Sequence, residues 1–239
     1  AGPPPPPADV DWALYEPRRI FRAAPNLATW GYPAGAVALE ASEPWEGGYV
    51  ADPWAIELED GRARLYYAAA GGIGLAEATS IDGTFTARAG GPVLGASGGA
   101  VPRCPTVVPT TGLEIAGAFF MLYELDGAIH TASSPDGLVF TELGPIAVVP
   151  RESDGAVLPT LPPRDRRDGA EVSRGCPGAM VAHTPAGRSV LRVYYESRRD
   201  NGAALIGMLG TDDGETYEAY PLPVFLSRDR RMPAPREVD

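Results

Sequence analysis

The chain has 239 residues with 20 basic and 31 acidic side chains, so its formal net charge at pH 7 is −11. A surface of that charge repels a phosphate backbone, and no apolar run reaches the roughly 20 residues that span a bilayer. Neither nucleic-acid binding nor a transmembrane span is therefore expected. The 29 glycines and 26 prolines indicate many turns rather than long helices.

The first eleven residues include a run of prolines from Pro3 to Pro7. Such a segment is semi-rigid and cannot join a core, so residues 1–11 are predicted to be a disordered tether ahead of one domain over 12–239. It suits a spacer after an export signal or a lipid anchor upstream of residue 1, and a start of no consequence is the alternative. We accordingly expect an extracytoplasmic location.

Three stretches repeat one pattern of short apolar segments, and they cover residues 51–94, 103–149 and 175–225. In the first copy the elements are Asp52-Pro53, Leu65-Tyr66-Tyr67, Gly74-Leu75-Ala76, Asp82-Gly83 and Pro92-Val93-Leu94. A period of roughly fifty residues built from short strands is typical of a propeller. We predict an all-β fold, a β-propeller of four-stranded antiparallel blades with almost no helix. Residues 27–50 resemble only the back half of a copy, so they are predicted to form a partial blade.

Each copy carries an Asp-Gly pair between its last two strands, with the aspartates at Asp82, Asp136 and Asp213. A tight hairpin needs positive φ, and Asp-Gly supplies it with little strain. We interpret these aspartates as turn residues rather than as catalytic acids.

Residues 150–174 separate the second and third copies and show no strand pattern. They contain five arginines, of which Arg174 stands directly before the third copy. A long connection near the axis of a propeller can rim a binding site, so Arg174 is a candidate substrate-binding residue. A solvated surface loop is the alternative.

The order Asp-Pro, Tyr-Tyr, Gly-Leu-Ala, Ser-x-Asp-Gly, Pro-Val-Leu resembles the five-bladed propeller glycoside hydrolases of the arabinanase, xylosidase and invertase groups. The resemblance covers about residues 48–225 and implies three acids at the heads of three inner strands, around one axial pocket. Cleavage of an O-glycosyl bond needs one carboxylic acid to protonate the leaving oxygen and one carboxylate on the opposite face. The resemblance implies an oligo- or polysaccharide partner and no cofactor, and we expect a monomer.

One of the three acids stands where the resemblance places it. Asp52, in Ala51-Asp52-Pro53, fits the nucleophile or general base. The second position, after Arg103, is Cys104, and the third, before Cys176, is Gly175. A thiol or a hydrogen cannot replace a carboxylate in that mechanism without losing most of the rate.

Two glutamates are candidates for a relocated acid. Glu124 and Glu196 each follow a second-strand tyrosine, at the same place in two copies, so both could point toward the pocket. A solvent-facing strand position is the alternative for both. Glu152 or Glu171 in the long loop is a further candidate. We therefore take Asp52, Glu124 and Glu196 as the candidate catalytic residues.

Cys104 and Cys176 hold equivalent positions in consecutive copies and are predicted to lie close together near the axis. In order of preference, they form a disulfide, remain two buried thiols, or include a reactive thiol beside Arg103. A metal site is not expected, because His130 and His183 are the two histidines and neither neighbours a cysteine.

Sugar pockets use aromatic faces as platforms, and Trp54 directly follows the axial Asp-Pro pair. Trp54, Trp45 and Arg103 are therefore candidate substrate-binding residues. Core packing is the alternative for both tryptophans.

Three functions stay open. The first is a carbohydrate-binding or catalytically degenerate propeller that is exported, and the second is an active glycoside hydrolase using Asp52 and a relocated glutamate. The third is a protein-interaction scaffold. We favour the first, because two of the three expected acids are missing.

Overall fold

A computed structural model describes residues 37–81, 83–150, 152–153, 156–157, 171–183, 187–200, 202, 204–219 and 225–226. The chain divides into two compact units, Ala1–Val37 and Ala38–Asp239, and the strands described below belong to the second. The predicted tether and the first part of the predicted partial blade lie outside the described residues, as does Asp82.

The described strands form three large sheets, one for each copy of the sequence pattern, and each is built on four consecutive antiparallel strands. Added strands enlarge the first sheet to five and the third to six, and two further short strands form a separate two-stranded sheet. The first blade contains β1 (Ala51–Glu57), β2 (Ala63–Ala69), β3 (Gly72–Ala78) and β4 (Thr86–Ala87), and β5 (Leu94–Gly95) returns to pair with β3. The second contains β6 (Arg103–Pro109), β7 (Phe119–Leu125), β8 (Ala128–Ser134) and β9 (Thr141–Pro145).

Three short strands follow, β10 (Ala147–Pro150), β11 (Glu152–Ser153) and β12 (Ala156–Val157). The third blade contains β13 (Glu171–His183), β14 (Ser189–Arg199), β15 (Ala204–Thr211) and β16 (Thr216–Ala219), and β17 (Phe225–Leu226) returns to β15. The prediction of no strand in 150–174 is wrong in part, because β11 pairs with β12 and β13 begins at Glu171.

The predicted all-β architecture is confirmed. Within the described ranges the helical structure is one 3-10 turn, Pro44–Glu46. In that part of the chain no helix has the length and apolar character to cross a membrane.

The second strands of the first two blades are almost entirely buried, whereas β14 of the third blade alternates between buried and partly exposed residues. Side chains alternate along a strand, so Met121 and Tyr123 of β7 face the first blade, while Phe120 and Leu122 face the third. The first pair packs in one core with Tyr66 and Leu75, and the second pair packs in another with Leu191 and Val193. The cores between neighbouring blades therefore hold the inner strands in place.

Polar contacts also join neighbouring blades. The Trp54 indole N–H donates to the carbonyl of Val107 at 2.8 Å, and the Thr106 hydroxyl donates to the carbonyl of Pro177 at 2.5 Å. β10, which follows the second blade in sequence, pairs in parallel with β16 and so adds a strand to the third blade.

Two of the three Asp-Gly turns behave as predicted. Asp136 accepts the N–H of Leu138 at 2.8 Å, Asp213 accepts the N–H of Glu215 at 2.9 Å, and both following glycines have positive φ. The Leu138 N–H, helped by a serine hydroxyl, holds the pKa of Asp136 below its usual value. These aspartates are thus turn residues; Gly83, in the first blade, does not adopt positive φ.

Candidate functional site

The inner strands of the three blades are β1, β6 and β13, and the head of each is the part around its X-Pro pair. These heads lie side by side, because β1 packs against β6 and β6 packs against β13. Each head carries an X-Pro pair whose first residue has positive φ: Asp52 at 49°, Cys104 at 48° and Cys176 at 40°. Such a conformation costs about 1–3 kcal/mol for a residue other than glycine. Its recurrence at one position in three blades shows that the fold itself imposes it.

A β-bulge produces this conformation in each of the three described blades. In each blade the residue before the X-Pro pair is paired with the second strand, and the register then shifts across the X-Pro pair. Regular pairing continues from the residue after the proline, which is Trp54, Thr106 or Gly178. Proline cannot donate to a ladder, so the strand bends there rather than ending. The inner strands therefore continue through the bulge instead of starting after the proline.

Cys104 and Cys176 are joined in a disulfide, with their Cα atoms 4.9 Å apart. The bond links the heads of β6 and β13 and closes a sequence separation of 72 residues. Cys104 is buried and Cys176 is exposed, so one end of the bond faces solvent. Equivalent positions in consecutive blades therefore converge closely enough to be bonded.

Asp52 occupies the corresponding position on β1, and its side chain is exposed. Its Oδ2 accepts the backbone N–H of Cys104 at 3.3 Å and lies 3.6 Å from the Cys104 Sγ. The carboxylate thus contacts the disulfide directly while solvent can reach it.

Glu124 and Glu196 hold matching positions in the second and third blades, because Glu124 pairs with Arg103 and Glu196 pairs with Gly175. Glu124 is buried and points toward the next strand head. Its Oε2 accepts the N–H of Cys176 at 3.0 Å, and its Oε1 lies 3.7 Å from Nη2 of Arg103. Each cysteine N–H is therefore bound by a carboxylate of the preceding blade.

Gly175 stands where the resemblance implies the general acid, and Glu124 fills the adjacent space. A Cβ built on Gly175 would collide with the Glu124 carboxylate. The Glu124 side chain and a longer side chain at position 175 consequently exclude each other in this arrangement.

Glu196 pairs with Arg198 through two contacts, at 3.1 and 3.2 Å. The hydrogen bond from Arg198 lowers the pKa of Glu196 below its usual value against an opposing effect of burial, and Arg103 adds to the lowering. A general acid must carry a proton at the working pH, so this environment does not suit that role. Sequence reasoning missed Arg198, although its spacing of two from Glu196 places both on one face of β14.

Glu171 and Arg174 lie at the start of β13. Glu171 accepts the Ser197 hydroxyl at 2.5 Å and the Tyr195 hydroxyl at 3.3 Å, and its Oε2 lies 2.6 Å from Nη2 of Arg174. Both residues line a cavity of about 250 Å³ beside the turn that joins β7 to β8, with Ile146 on the other wall. The Glu152 side chain, the other loop candidate, lies outside the described residues.

The two candidate tryptophans make packing contacts. Trp54 is half-buried against the core between the first two blades and uses its indole N–H on Val107. Trp45 stacks on Tyr67 with ring centroids 6.2 Å apart and packs on the first blade. Sugar binding by either one stays a prediction.

No protein-family model matches the sequence, and no curated protein matches it. Solved structures do share its fold, which is that of the five-bladed β-propeller glycoside hydrolases and confirms the resemblance inferred above. One match is an endo-arabinase from Bacteroides thetaiotaomicron, with a TM-score of 0.53 and 15% identity, covering 78% of this chain and 66% of that one.

Two further structures match at a similar level. A family 117 glycoside hydrolase from Zobellia galactanivorans has a TM-score of 0.51 and 15% identity, with coverages of 74% and 57%. A β-1,2-mannobiose phosphorylase from Listeria innocua has a TM-score of 0.51 and 14% identity, with coverages of 80% and 49%. The chain thus spans between about half and two thirds of these proteins, and the likeness establishes the fold and not an activity.

Proposed function

We propose that this chain is a carbohydrate-binding propeller that has lost the hydrolytic machinery of the enzymes whose fold it shares. The observation that carries the proposal is the disulfide at the axial strand heads. Cys104 stands at one implied acid position, and its partner Cys176 follows Gly175, which stands at the other. A disulfide can neither protonate a leaving oxygen nor activate water, and glycoside cleavage requires both steps.

Among the three candidate acids, Asp52 is best placed to hold a ligand. Glu124 is occupied by the Cys176 N–H and by Arg103, and Glu196 is paired with Arg198. Asp52 keeps an exposed carboxylate that can accept hydrogen bonds from sugar hydroxyls, and the exposed Arg103 can donate to them.

An oxidising compartment would preserve the disulfide, which supports our proposal that the protein works outside the cytoplasm. The lipid anchor and the monomeric state are predictions that rest on the sequence alone.

The experiment pairs binding with turnover on one panel of arabino-, xylo- and fructo-oligosaccharides and aryl-glycosides. We expect calorimetric binding to at least one oligosaccharide and no released product. Asp52→Asn should weaken that binding at least tenfold. Asp60→Asn makes the same change on the exposed turn at the other end of β1 and should leave it unchanged.

Each alternative function has its own signature in this experiment. Product release that Asp52→Asn abolishes would replace our proposal with an active glycoside hydrolase. The observation favouring that alternative is the Glu124 carboxylate, which reaches the space beside Gly175 where the implied general acid is missing. Neither binding nor turnover on the whole panel would favour a protein-interaction scaffold.

A further inference from the structure

We propose that reduction of the Cys104–Cys176 disulfide converts the strand heads into a binding site for a thiophilic divalent cation such as Zn²⁺. The ligands would be the two cysteine sulfurs and the Glu124 carboxylate. This site does not depend on carbohydrate binding.

The three potential ligand atoms already converge. The sulfurs of Cys104 and Cys176 and a carboxylate oxygen of Glu124 all lie within 4.8 Å of one another. In a tetrahedral zinc site, bonds of about 2.3 Å to sulfur and about 2.0 Å to oxygen place two sulfurs about 3.8 Å apart and a sulfur and an oxygen about 3.5 Å apart. Once the sulfurs are free, rotation about the Cα–Cβ bonds can supply these separations, because the two Cα atoms are 4.9 Å apart.

The backbone around the site holds the ligands before any ion binds. Both cysteines sit in β-bulges with positive φ, and the N–H of Cys176 holds the Glu124 carboxylate at 3.0 Å. Hydrogen bonds to ligating groups orient them and raise metal affinity. The exposed side of Cys176 gives an ion access from solvent.

The charges favour a cation over two free thiolates. Two thiolates beside Glu124 and Asp52 would place four negative charges around the strand heads, with Arg103 and Arg198 as nearby positive groups. A divalent ion offsets this repulsion, and thiolate ligands select Zn²⁺ over Mg²⁺ or Ca²⁺. The fourth coordination position would be open to water, with the Asp52 carboxylate 3.6 Å from the Cys104 Sγ.

Formation of the metal site takes two steps, reduction of the disulfide and binding of the ion. A dithiol reductant gives two electrons and two protons to the disulfide, so the protein gains two thiols and the reductant becomes a cyclic disulfide. Binding of Zn²⁺ then forms two metal–sulfur bonds and releases the two thiol protons to solvent. Reoxidation would expel the ion, so the disulfide and the metal site are mutually exclusive states.

The test titrates Co²⁺ and Zn²⁺ into three preparations of the full chain: oxidised, reduced with dithiothreitol and desalted without oxygen, and reduced then alkylated with iodoacetamide. We expect about one ion per reduced chain, with a thiolate-to-Co²⁺ charge-transfer band, and none in the other two preparations. Circular dichroism checks that all three keep their strands.

A pair of matched variants tests the third ligand. Glu124→Gln should weaken Zn²⁺ binding to the reduced chain at least tenfold. Glu59→Gln, on the exposed turn between β1 and β2, should not change it. The proposal is overturned if the reduced chain binds no more Co²⁺ than the alkylated chain, or if the two variants bind Zn²⁺ equally. The comparison of the three wild-type preparations stands even if Glu124→Gln fails to fold.

Discussion

Removing the Cys104–Cys176 disulfide should destabilise the propeller by an amount that follows from its place in the chain. The bond closes a loop of 72 residues, which contains the whole second blade beyond β6. The chain-entropy treatment assigns such a loop about 4 kcal/mol of the free energy of unfolding. For a unit of roughly 200 residues, each kcal/mol moves the melting temperature by about 2–4 °C, so we expect a fall of about 10 °C.

The assay compares oxidised wild type with a Cys104→Ser/Cys176→Ser double variant by differential scanning calorimetry and urea unfolding, with a chelator present. Wild type in dithiothreitol should have the same melting temperature as the double variant, and the reductant should leave the melting temperature of the variant unchanged. A difference in the free energy of unfolding below about 1 kcal/mol would refute the reasoning. It would mean that the inter-blade cores and the acids bound to the cysteine N–H groups already fix the strand heads.

Two further predictions concern stability away from the disulfide. Glu46 is fully buried, and the N–H groups of its own loop and the Tyr67 hydroxyl outweigh burial, so its pKa lies below the ordinary 4.5. Glu46→Gln should therefore lose about 2 kcal/mol at pH 7. Urea unfolding should show this gap beginning to close as the pH falls below about 4.5, where the unfolded chain takes up the proton, and closing fully below the lower pKa of the folded state. Gly137→Ala should destabilise more than Gly61→Ala in thermal unfolding: both glycines have φ between 73° and 81°, but an added Cβ meets Arg64 only at Gly137.

The blades were predictable because their signals are local. Short apolar strands, tyrosine-bearing second strands and Asp-Gly pairs each depend on a few neighbouring residues, and they recur in three copies of the sequence. The convergence of Cys104 and Cys176 followed from the repeat, since equivalent positions in consecutive blades lie at the same height around an axis. These inferences needed no knowledge of how the blades pack.

The partners of the acids were not predictable in the same way. Glu124 accepts an N–H from Cys176, 52 residues away, and this contact depends on the bulge that turns the strand head toward the next blade. The bulge is not visible as a pattern, because an X-Pro pair equally permits a strand to start after the proline. Glu171 is similar: its partners Ser197 and Tyr195 lie on the neighbouring strand and share no motif with it.

The strand heads also show how one fold can carry different chemistry at the same point. Asp52, Cys104 and Cys176 share one backbone conformation, with φ between 40° and 49°, although one is an acid and two form a disulfide. The bulge and its proline therefore fix the backbone conformation at the strand head, and they leave the chemistry of the side chain open. Because the backbone N–H groups of Cys104 and Cys176 bind carboxylates of the preceding blades, this geometry does not require an acid at either position. Residues other than acids at these positions can thus leave the propeller fold intact, as our proposal of a binding protein requires.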